Sequence, residues 1–139
     1  MRKQLQENRA VSVVLHNIRS VHNAGSIFRT ADAAGIKKIY LSGFTPLPLD
    51  RFGRKRKDFA KTALGAEETV PWEHAADARA LIKGLKKDGF RVIGIEQTAD
   101  ARDYKTVQID SPVVFVFGNE VTGLPKEVLA LCDIVAEIP

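Results

Sequence analysis

Residues 10–43, AVSVVLHNIRSVHNAGSIFRTADAAGIKKIYLSG, contain the pattern that decides the fold. Two short apolar and β-branched runs, residues 10–18 and 37–43, flank residues 24–34, in which apolar side chains recur at helical spacing. Gly35 follows at the position where a left-handed cap ends a helix. Strands with few polar positions are typical of a parallel sheet that is covered on both faces. The stretch therefore predicts a strand, a helix and a second, parallel strand.

The same alternation continues to the end of the chain. Further strands are predicted at residues 90–97, 112–118 and 133–139, and helices at residues 72–89 and 124–132, with Pro125 in a first-turn position. Residues 45–70 have the least regular pattern. The sequence thus predicts an α/β fold with a mostly parallel sheet flanked by helices, formed by residues 1–139 as a single domain.

Composition limits the class of protein and its location. Of the 139 residues, 45% are hydrophobic, which is enough for a core. The single cysteine, Cys132, excludes an internal disulfide and fits a reducing compartment; it is either a buried core residue or a reactive thiol. No apolar run reaches the length of a signal peptide or a membrane span. We therefore expect a cytoplasmic protein that does not bind membranes.

The positive charge is concentrated in one segment. Lys and Arg outnumber Asp and Glu by 21 to 17, which gives a formal charge of +4. Six of these cations lie in residues 50–61, DRFGRKRKDFAK, beside Phe52 and Phe59. Such a segment can bind phosphates through its cations and stack a base on an aromatic ring. The alternative is a solvated loop that its two phenylalanines anchor to the core.

Candidate site residues follow the predicted strands, because open α/β sheets bind ligands beyond the carboxyl ends of their strands. Residues 19–25 follow the first strand, and GNEVTGLP, residues 118–125, includes the end of the fourth. Gly118 and Gly123 permit close backbone approaches around Glu120. The plainer interpretation of this segment is a turn with an exposed acid.

Several common site motifs are absent from the sequence. No glycine-rich loop ends in Gly-Lys-Ser/Thr and no G-x-G-x-x-G follows a strand, which argues against nucleoside triphosphatases, dinucleotide-binding folds and methyltransferases with a glycine-rich loop. No G-x-S-x-G hydrolase motif occurs. His16, His22 and His74 lack the spacing of a zinc site, so we expect no metal.

Two longer motifs resemble those of a known family. HNIRSVHNAGSIFRTADAAGIKKIYLSG, residues 16–43, resembles the first motif of the SpoU/TrmH branch of the SPOUT RNA methyltransferases, and VVFVFGNEVTGLP, residues 113–125, resembles the second. The resemblance covers essentially the whole chain. It implies an enzyme that uses S-adenosylmethionine to methylate a ribose 2′-hydroxyl of tRNA or rRNA. It also implies a trefoil knot at the carboxyl end and a homodimer.

The resemblance further implies roles for individual residues. Arg29 corresponds to the family's catalytic arginine. Because a guanidinium stays protonated, we expect Arg29 to bind substrate phosphate and to stabilise the forming alkoxide rather than to accept a proton. Asn23 is expected to orient Arg29 or the substrate, and Glu120 to hold Arg29 through a charge-assisted hydrogen bond. The cofactor pocket is expected to use the backbone near Ile95, Gly118 and Ile138. RNA contacts are expected from Arg19, His22, Arg54, Lys55, Arg56 and Lys57.

The chain departs from the family pattern at its carboxyl end. The family's third motif begins near Ile138 and Pro139 and continues through a loop and a Ser-Leu-Asn segment that threads the knot, completes the cofactor pocket and forms much of the dimer interface. The sequence ends at Pro139, so we expect a domain that is incomplete at its C-terminus. Two hypotheses follow: a ribose methyltransferase, or an RNA-binding or inactive fragment of one. A base-nitrogen methyltransferase of another SPOUT branch fits the motifs less well.

Overall fold

A computed structural model describes residues 10–96, 102–103 and 112–137, which contain seven strands and five helices. In chain order these are β1 (Val11–His16), α1 (Val21–Ala34), β2 (Lys38–Ser42), α2 (Lys57–Ala63), α3 (Ala66–Thr69), β3 (Trp72–Ala75), α4 (Ala78–Lys87), β4 (Arg91–Ile95), β5 (Arg102–Asp103), β6 (Val113–Phe117), α5 (Lys126–Leu129) and β7 (Ile134–Glu137). The strands pair in parallel in the order β3-β2-β1-β6-β4-β7-β5. The predicted α/β fold is confirmed.

The unit predicted from residues 10–43 forms as expected. β1 and β2 pair in parallel, and α1 connects them. The hydroxyl of Ser20 caps α1 by accepting a hydrogen bond from the Asn23 backbone amide, and Gly35 ends the helix with a φ of 75°. α1 therefore begins three residues earlier than predicted, because its serine cap, and not the first apolar repeat, sets its start.

The prediction of one helix over residues 72–89 is wrong at its beginning. Trp72–Ala75 form the strand β3, which pairs with β2. Asp77 then caps α4, since its carboxylate accepts hydrogen bonds from the backbone amides of Arg79 and Ala80. The apolar spacing runs across this boundary because Trp72 and Ala75 are three residues apart, as on a helix face. Periodicity alone does not distinguish that arrangement from a short strand followed by a capped helix.

Other differences concern short elements. The irregular stretch of residues 45–70 contains α2 and α3, neither of which was predicted. The helix predicted at residues 124–132 is only the four-residue α5, and Pro125 lies at its N-cap rather than in its first turn. Elements of this length carry too few repeats for a periodic pattern, and their packing against the sheet determines them.

Apolar clusters cover both faces of the sheet. On one face α1, α2 and α3 pack on β1 and β2, and the rings of Phe28 and Phe59 meet edge to face with centroids 5.1 Å apart. On the other face α4 and α5 cover the buried valines Val14, Val92, Val114 and Val116. Helices on both faces explain why the strands are nearly continuous apolar runs.

α1 and α2 approach so closely at Gly25 that no side chain fits there. A Cβ atom at Gly25 would lie 2.8 Å from the carbonyl oxygen of Phe59 and 3.2 Å from the backbone nitrogen of Ala63, and it would overlap the hydroxyl of Thr62. The hydroxyl can rotate away, but the backbone atoms cannot. This contact accounts for a glycine inside α1, where glycine otherwise weakens a helix.

We predict that Gly25→Ala lowers the free energy of unfolding by about 1–3 kcal/mol, because the added methyl group forces the two helices apart. Gly84→Ala is the matched control. Gly84 also lies within a helix, but a Cβ there meets no atom within 4 Å. That substitution should raise the free energy of unfolding by about 0.5–1 kcal/mol. Urea unfolding followed by circular dichroism measures both, and equal stabilities of the two variants would contradict the close approach.

Candidate functional site

The chain reverses its direction of winding at β1. From β1 the sheet grows outward through β2 to β3, and the chain then crosses to the opposite side, where β6 and β4 lie. Open α/β sheets bind ligands beyond the carboxyl ends of the strands at such a point. A cleft of about 330 Å³ lies there, between α1 and the end of β6. Its lining consists of Ile18, Asn23, Ser26, Ile27, Thr30, Phe117, Gly118 and Glu120.

Glu120 joins the second motif to the first. Its carboxylate accepts hydrogen bonds from the backbone amides of Arg19 at 3.1 Å and Ser20 at 3.3 Å, and from the side-chain amide of Asn23 at 3.3 Å. Desolvation acts to raise the pKa of Glu120, but the hydrogen bonds outweigh it and the pKa is lowered. The N-terminus of α1 also favours a negative charge. Glu120 is therefore ionised at neutral pH.

Asn119 fixes the loop that carries Glu120. Its side-chain nitrogen donates to the carbonyl oxygen of Asn17 at 2.9 Å. Its side-chain oxygen accepts from the backbone amides of Val121 at 2.8 Å and Thr122 at 3.0 Å. Two consecutive side chains thus bind the turn between β1 and α1 to the loop after β6. The sequence analysis missed Asn119, although an asparagine that bonds the amides following it is a common turn signal.

Asn17 connects the ends of β1 and β2. Its φ of 57° lies in the left-handed region, which asparagine adopts more readily than most residues. Its side-chain oxygen accepts from the Phe44 backbone amide at 3.0 Å, and its side-chain nitrogen donates to His16 Nε2 at 3.3 Å. These bonds assign the His16 proton to Nδ1, which donates to Ser42 Oγ at 2.9 Å. Burial lowers the pKa of His16, so the imidazole is neutral at pH 7.

Glycines shape the loop after β6. A Cβ at Gly118 would lie 2.6 Å from the carbonyl carbon of Gly123 and 2.7 Å from the nitrogen of Leu124. Gly123 has a φ of 70°, and the Glu96 carboxylate occupies the space that its Cβ would need. That carboxylate accepts a hydrogen bond from the Leu124 amide at 2.7 Å. Gly118 is therefore required for the loop to close, and Glu96 is a second loop-fixing residue that the sequence analysis missed.

The sheet brings two of the three predicted cofactor positions to one edge. Ile95 ends β4 and lies opposite Phe117 of β6 and Ala136 of β7. Gly118 directly follows Phe117. Ile138 lies outside the described residues, and the knot that the resemblance implies involves sequence beyond them. The cofactor roles of all three residues stay predictions.

Arg29 lies on α1 but outside the cleft. It is six residues beyond Asn23, which displaces it by about 9 Å along the helix and rotates it by about 240°. Its side chain is exposed, and within the described part of the chain it makes no hydrogen bond or ion pair with Glu120. The expected bond between them is absent there, and the Glu120 carboxylate instead accepts its hydrogen bonds from groups at the start of α1. His22 is exposed on the same side of α1 as Arg29, and Arg19 is exposed before the helix.

Three of the four predicted RNA-binding cations in the basic segment already contact acids. The ion pairs are Arg54 with Asp50 at 3.2 Å, Lys55 with Glu68 at 2.6 Å and Arg56 with Asp58 at 2.7 Å. Lys57 is exposed and has no ion pair among the described residues. Ion pairs at the surface contribute little stability and exchange readily for other anions. Phe59 is fully buried, as an anchor should be, whereas Phe52 is 66% exposed.

The part of the chain that the structure describes contains neither a metal-binding cluster nor a membrane-spanning helix. No group of three or more His, Cys, Asp and Glu side chains is arranged to hold a metal ion. None of the helices within residues 10–96 and 112–137 is long and apolar enough to span a membrane.

Comparison with known proteins identifies the family. Residues 10–139 match the profile of the SpoU rRNA Methylase family. The chain belongs to this family. A Staphylococcus aureus protein named for the TrmH family of tRNA/rRNA methyltransferases is 34% identical over 139 residues, which cover 99% of this chain and 53% of that protein. A Staphylococcus haemolyticus protein of the same name is 32% identical over 134 residues, or 96% and 51% of the two chains. The chain spans about half the length of the curated relatives it matches.

Solved SpoU-type structures share the fold. An rRNA methyltransferase from Sinorhizobium meliloti is 32% identical with a TM-score of 0.82, covering 94% of this chain and 48% of that one. Its AdoMet-bound structure is 31% identical with a TM-score of 0.83, covering 94% and 47%. The SpoU methyltransferase AviRb from Streptomyces viridochromogenes, at 20% identity, has a TM-score of 0.82 over 95% of this chain and 49% of its own. The SpoU/TrmH resemblance is confirmed.

We predict that the Glu120 carboxyl of this SpoU-family chain titrates below the ordinary glutamate value of 4.5. The hydrogen bonds stabilise the folded state above that pH, and their contribution is lost as the pH falls through the lowered pKa of the folded state. A carbon-13 NMR titration of the carboxyl groups measures the value directly. Asn23→Ala removes one donor and should raise the pKa of Glu120 part of the way towards 4.5. A wild-type value at or above 4.5 would contradict these contacts.

Proposed function

We propose that the chain is the core of an S-adenosylmethionine-dependent enzyme that methylates a ribose 2′-hydroxyl of tRNA or rRNA. The observation that carries this proposal is the meeting of the two family motifs at one cleft, where Glu120 of the second binds Asn23 and the turn of the first. The names of the relatives and the AdoMet-bound structure support it. Residues 1–139 would belong to one methyltransferase domain of a cytoplasmic enzyme.

The described residues fit a flat, apolar cofactor such as the adenosyl group at the ends of β4, β6 and β7. Ile95 and Phe117 are half-buried and lie opposite each other, so they form an apolar wall that Gly118 directly follows. S-adenosylmethionine supplies an electrophilic methyl group when bound. Gly118 also lines the cleft, so a cofactor held at these strand ends would lie beside it, and the cleft would receive the substrate ribose.

Three side chains have separate roles in this proposal. A ribose hydroxyl is a poor nucleophile at neutral pH, so the enzyme must stabilise the negative charge that develops on its oxygen. Arg29 carries a permanent positive charge and would bind the neighbouring phosphate and stabilise that oxygen. Asn23 would orient the hydroxyl through its amide. Glu120 would position Asn23 and the start of α1 instead of Arg29.

RNA binding in this proposal involves two groups of cations. Arg19 lies directly before the helix cap and His22 lies in the first turn of α1, and both are exposed. The basic segment contributes Arg54, Lys55, Arg56 and Lys57. The exposed ion pairs of Lys55 and Arg56 would exchange their carboxylates for phosphates, at a small net change in stability, while Arg54 would add its charge without leaving Asp50.

We also propose that the enzyme acts as a homodimer in which Arg29 serves the cleft of a second copy. Arg29 and His22 share an exposed side of α1, rotated away from the cleft residue Asn23. Because Arg29 does not line the cleft of its own chain, a second copy would bring it to one. A twofold dimer would exchange the two arginines symmetrically.

Mixed variants test this arrangement in a chain that also carries the family's third motif. Arg29→Ala and Glu120→Gln should each lower ribose methylation by about 100-fold or more. When the two variants are unfolded and refolded together, half of the dimers are mixed and one site in each has both side chains intact. About a quarter of the wild-type activity should therefore return. Lys83→Ala, on the exposed side of α4, is the control and should stay fully active.

Absence of recovery in the mixture would show that Arg29 acts on its own chain. Near-wild-type methylation by Arg29→Ala would overturn its proposed role altogether. The readout is the methylated nucleoside, identified by mass spectrometry after digestion of the RNA.

Calorimetric titration with S-adenosylmethionine tests the cofactor assignment. We expect the chain followed by the third motif to bind, and the 139-residue chain to bind at least about tenfold more weakly, because it offers only part of the enclosing surface. Binding by neither would overturn the proposed enzyme and favour the alternative, an RNA-binding fragment. Equal binding by both would show that the ends of β4, β6 and β7 suffice.

A further inference from the structure

Residues 49–55 form a short hairpin between β2 and α2, here named the tip hairpin. Leu49 and Lys55 make an antiparallel bridge. The Asp50 amide donates to the Arg54 carbonyl oxygen at 2.8 Å, and Gly53, with a φ of 78°, closes the turn. The hairpin is therefore a defined structure with its own hydrogen bonds, within a region where the sequence has no regular pattern.

The Asp50 carboxylate lies at the centre of the tip hairpin. It accepts hydrogen bonds from the backbone amides of Phe52 at 2.8 Å and Arg54 at 2.9 Å, and from Arg54 Nε at 3.2 Å. The backbone bond from Arg54 is the main cause of a lowered pKa of Asp50. Arg54 is thereby committed to holding the hairpin together.

Phe52 lies at the tip and packs into no core. Its ring is 66% exposed, and the guanidinium carbons of Arg51 and Arg54 lie 4.9 and 5.0 Å from its centroid. Arg51, unlike Arg54, has no acidic partner among the described residues, so the ring is its one described contact. The hairpin thus presents an aromatic ring and a positive charge that no carboxylate of the described residues neutralises.

The base of the tip hairpin is fixed to the helix that packs on α1. Pro48 is buried, and its carbonyl oxygen accepts a hydrogen bond from the Arg56 amide at 3.0 Å, directly before α2. α2 in turn packs on α1 at Gly25. The hairpin therefore has a set position relative to the helix that carries Asn23 and Arg29.

We propose that the tip hairpin binds an unpaired nucleotide of the substrate RNA, with the base stacked on Phe52 and a neighbouring phosphate bound by Arg51. This inference rests on the proposed function, which makes RNA the substrate. Bases in a duplex are already stacked on each other, so an exposed ring selects unpaired bases. An exposed cation–π contact is weak, and Arg51 can exchange it for a phosphate while Asp50 and Arg54 keep the hairpin intact. The methylated nucleotide accordingly lies near a single-stranded loop or bulge.

Fluorescence anisotropy of labelled RNA tests the stacking contact. The probes are an unstructured RNA of about 12 nucleotides and a blunt duplex of about 12 base pairs. Phe52→Ala should weaken binding of the single strand about tenfold and leave duplex binding unchanged. Phe52→Trp should restore single-strand binding. The ring lies outside the core, so thermal unfolding should show that both variants remain folded.

Salt dependence tests the phosphate contact. Arg51→Ala should reduce by about one the number of counterions released on binding the single strand. Lys83→Ala is the matched control, since it removes the same charge from α4 on the opposite face of the sheet. Its affinity for the single strand should stay within about twofold of wild type.

Unchanged single-strand affinity of Phe52→Ala would overturn the inference, and it is the result expected if the hairpin instead contacts an acidic protein. Because the binding measurement involves no methyl transfer, the two proposals fail separately. If the chain with the third motif methylates ribose but Phe52→Ala leaves the affinity for the single strand unchanged, only the hairpin assignment is contradicted. If Phe52→Ala weakens binding of the single strand but the chain with the third motif methylates no ribose, only the proposed reaction is contradicted.

Discussion

The contact between the Glu120 carboxylate and the start of α1 is the interaction on which the site depends. It joins residues about a hundred positions apart, and it is possible because β1 and β6 are neighbours whose carboxyl ends meet at the point where the sheet reverses its winding. The amides of Arg19 and Ser20 precede the first turn of the helix and need acceptors. An ionised carboxylate meets that need and, through Asn23, fixes one wall of the cleft.

The residues around this contact serve the fold and the site together. Asn17 and Asn119 hold the ends of β1, β2 and β6 in register, and Gly118 lets the loop after β6 close against its own backbone. Glu96 supports the same loop from the end of β4. Because each of these groups holds a strand end beside the cleft, the position of Asn23 and the closure of the loop are coupled. Hydrogen bonds therefore fix the positions of the loops at the carboxyl ends of the strands, whereas the apolar cores lie between the helices and the faces of the sheet.

In the basic segment, charged side chains pair with each other, whereas at the cleft the charged Glu120 is held by uncharged amides. The cations of this segment were expected to be available for RNA, but three of the six hold the local structure by pairing with nearby acids. Such exposed pairs are weak, so they organise the surface without preventing exchange for phosphate. In the tip hairpin the two arginines have different roles. Arg54 stays paired with Asp50, and Arg51 contacts the ring of Phe52 and can exchange that contact for phosphate.

The sequence by itself determined the α/β class, the first strand–helix–strand unit and the residue types of the site, because apolar periodicity, the Gly35 cap and the motifs around Asn23 and Glu120 are local signals. It misassigned the start of residues 72–89, since strand pairing is decided by β2 and not by the segment itself. Only the tertiary structure revealed the bonds of Asn119 to Asn17 and of Glu96 to Leu124, whose partners are distant in the sequence. It alone also showed that Arg29 is exposed and does not line the cleft, because the surroundings of a side chain depend on which side of α1 packs against the sheet.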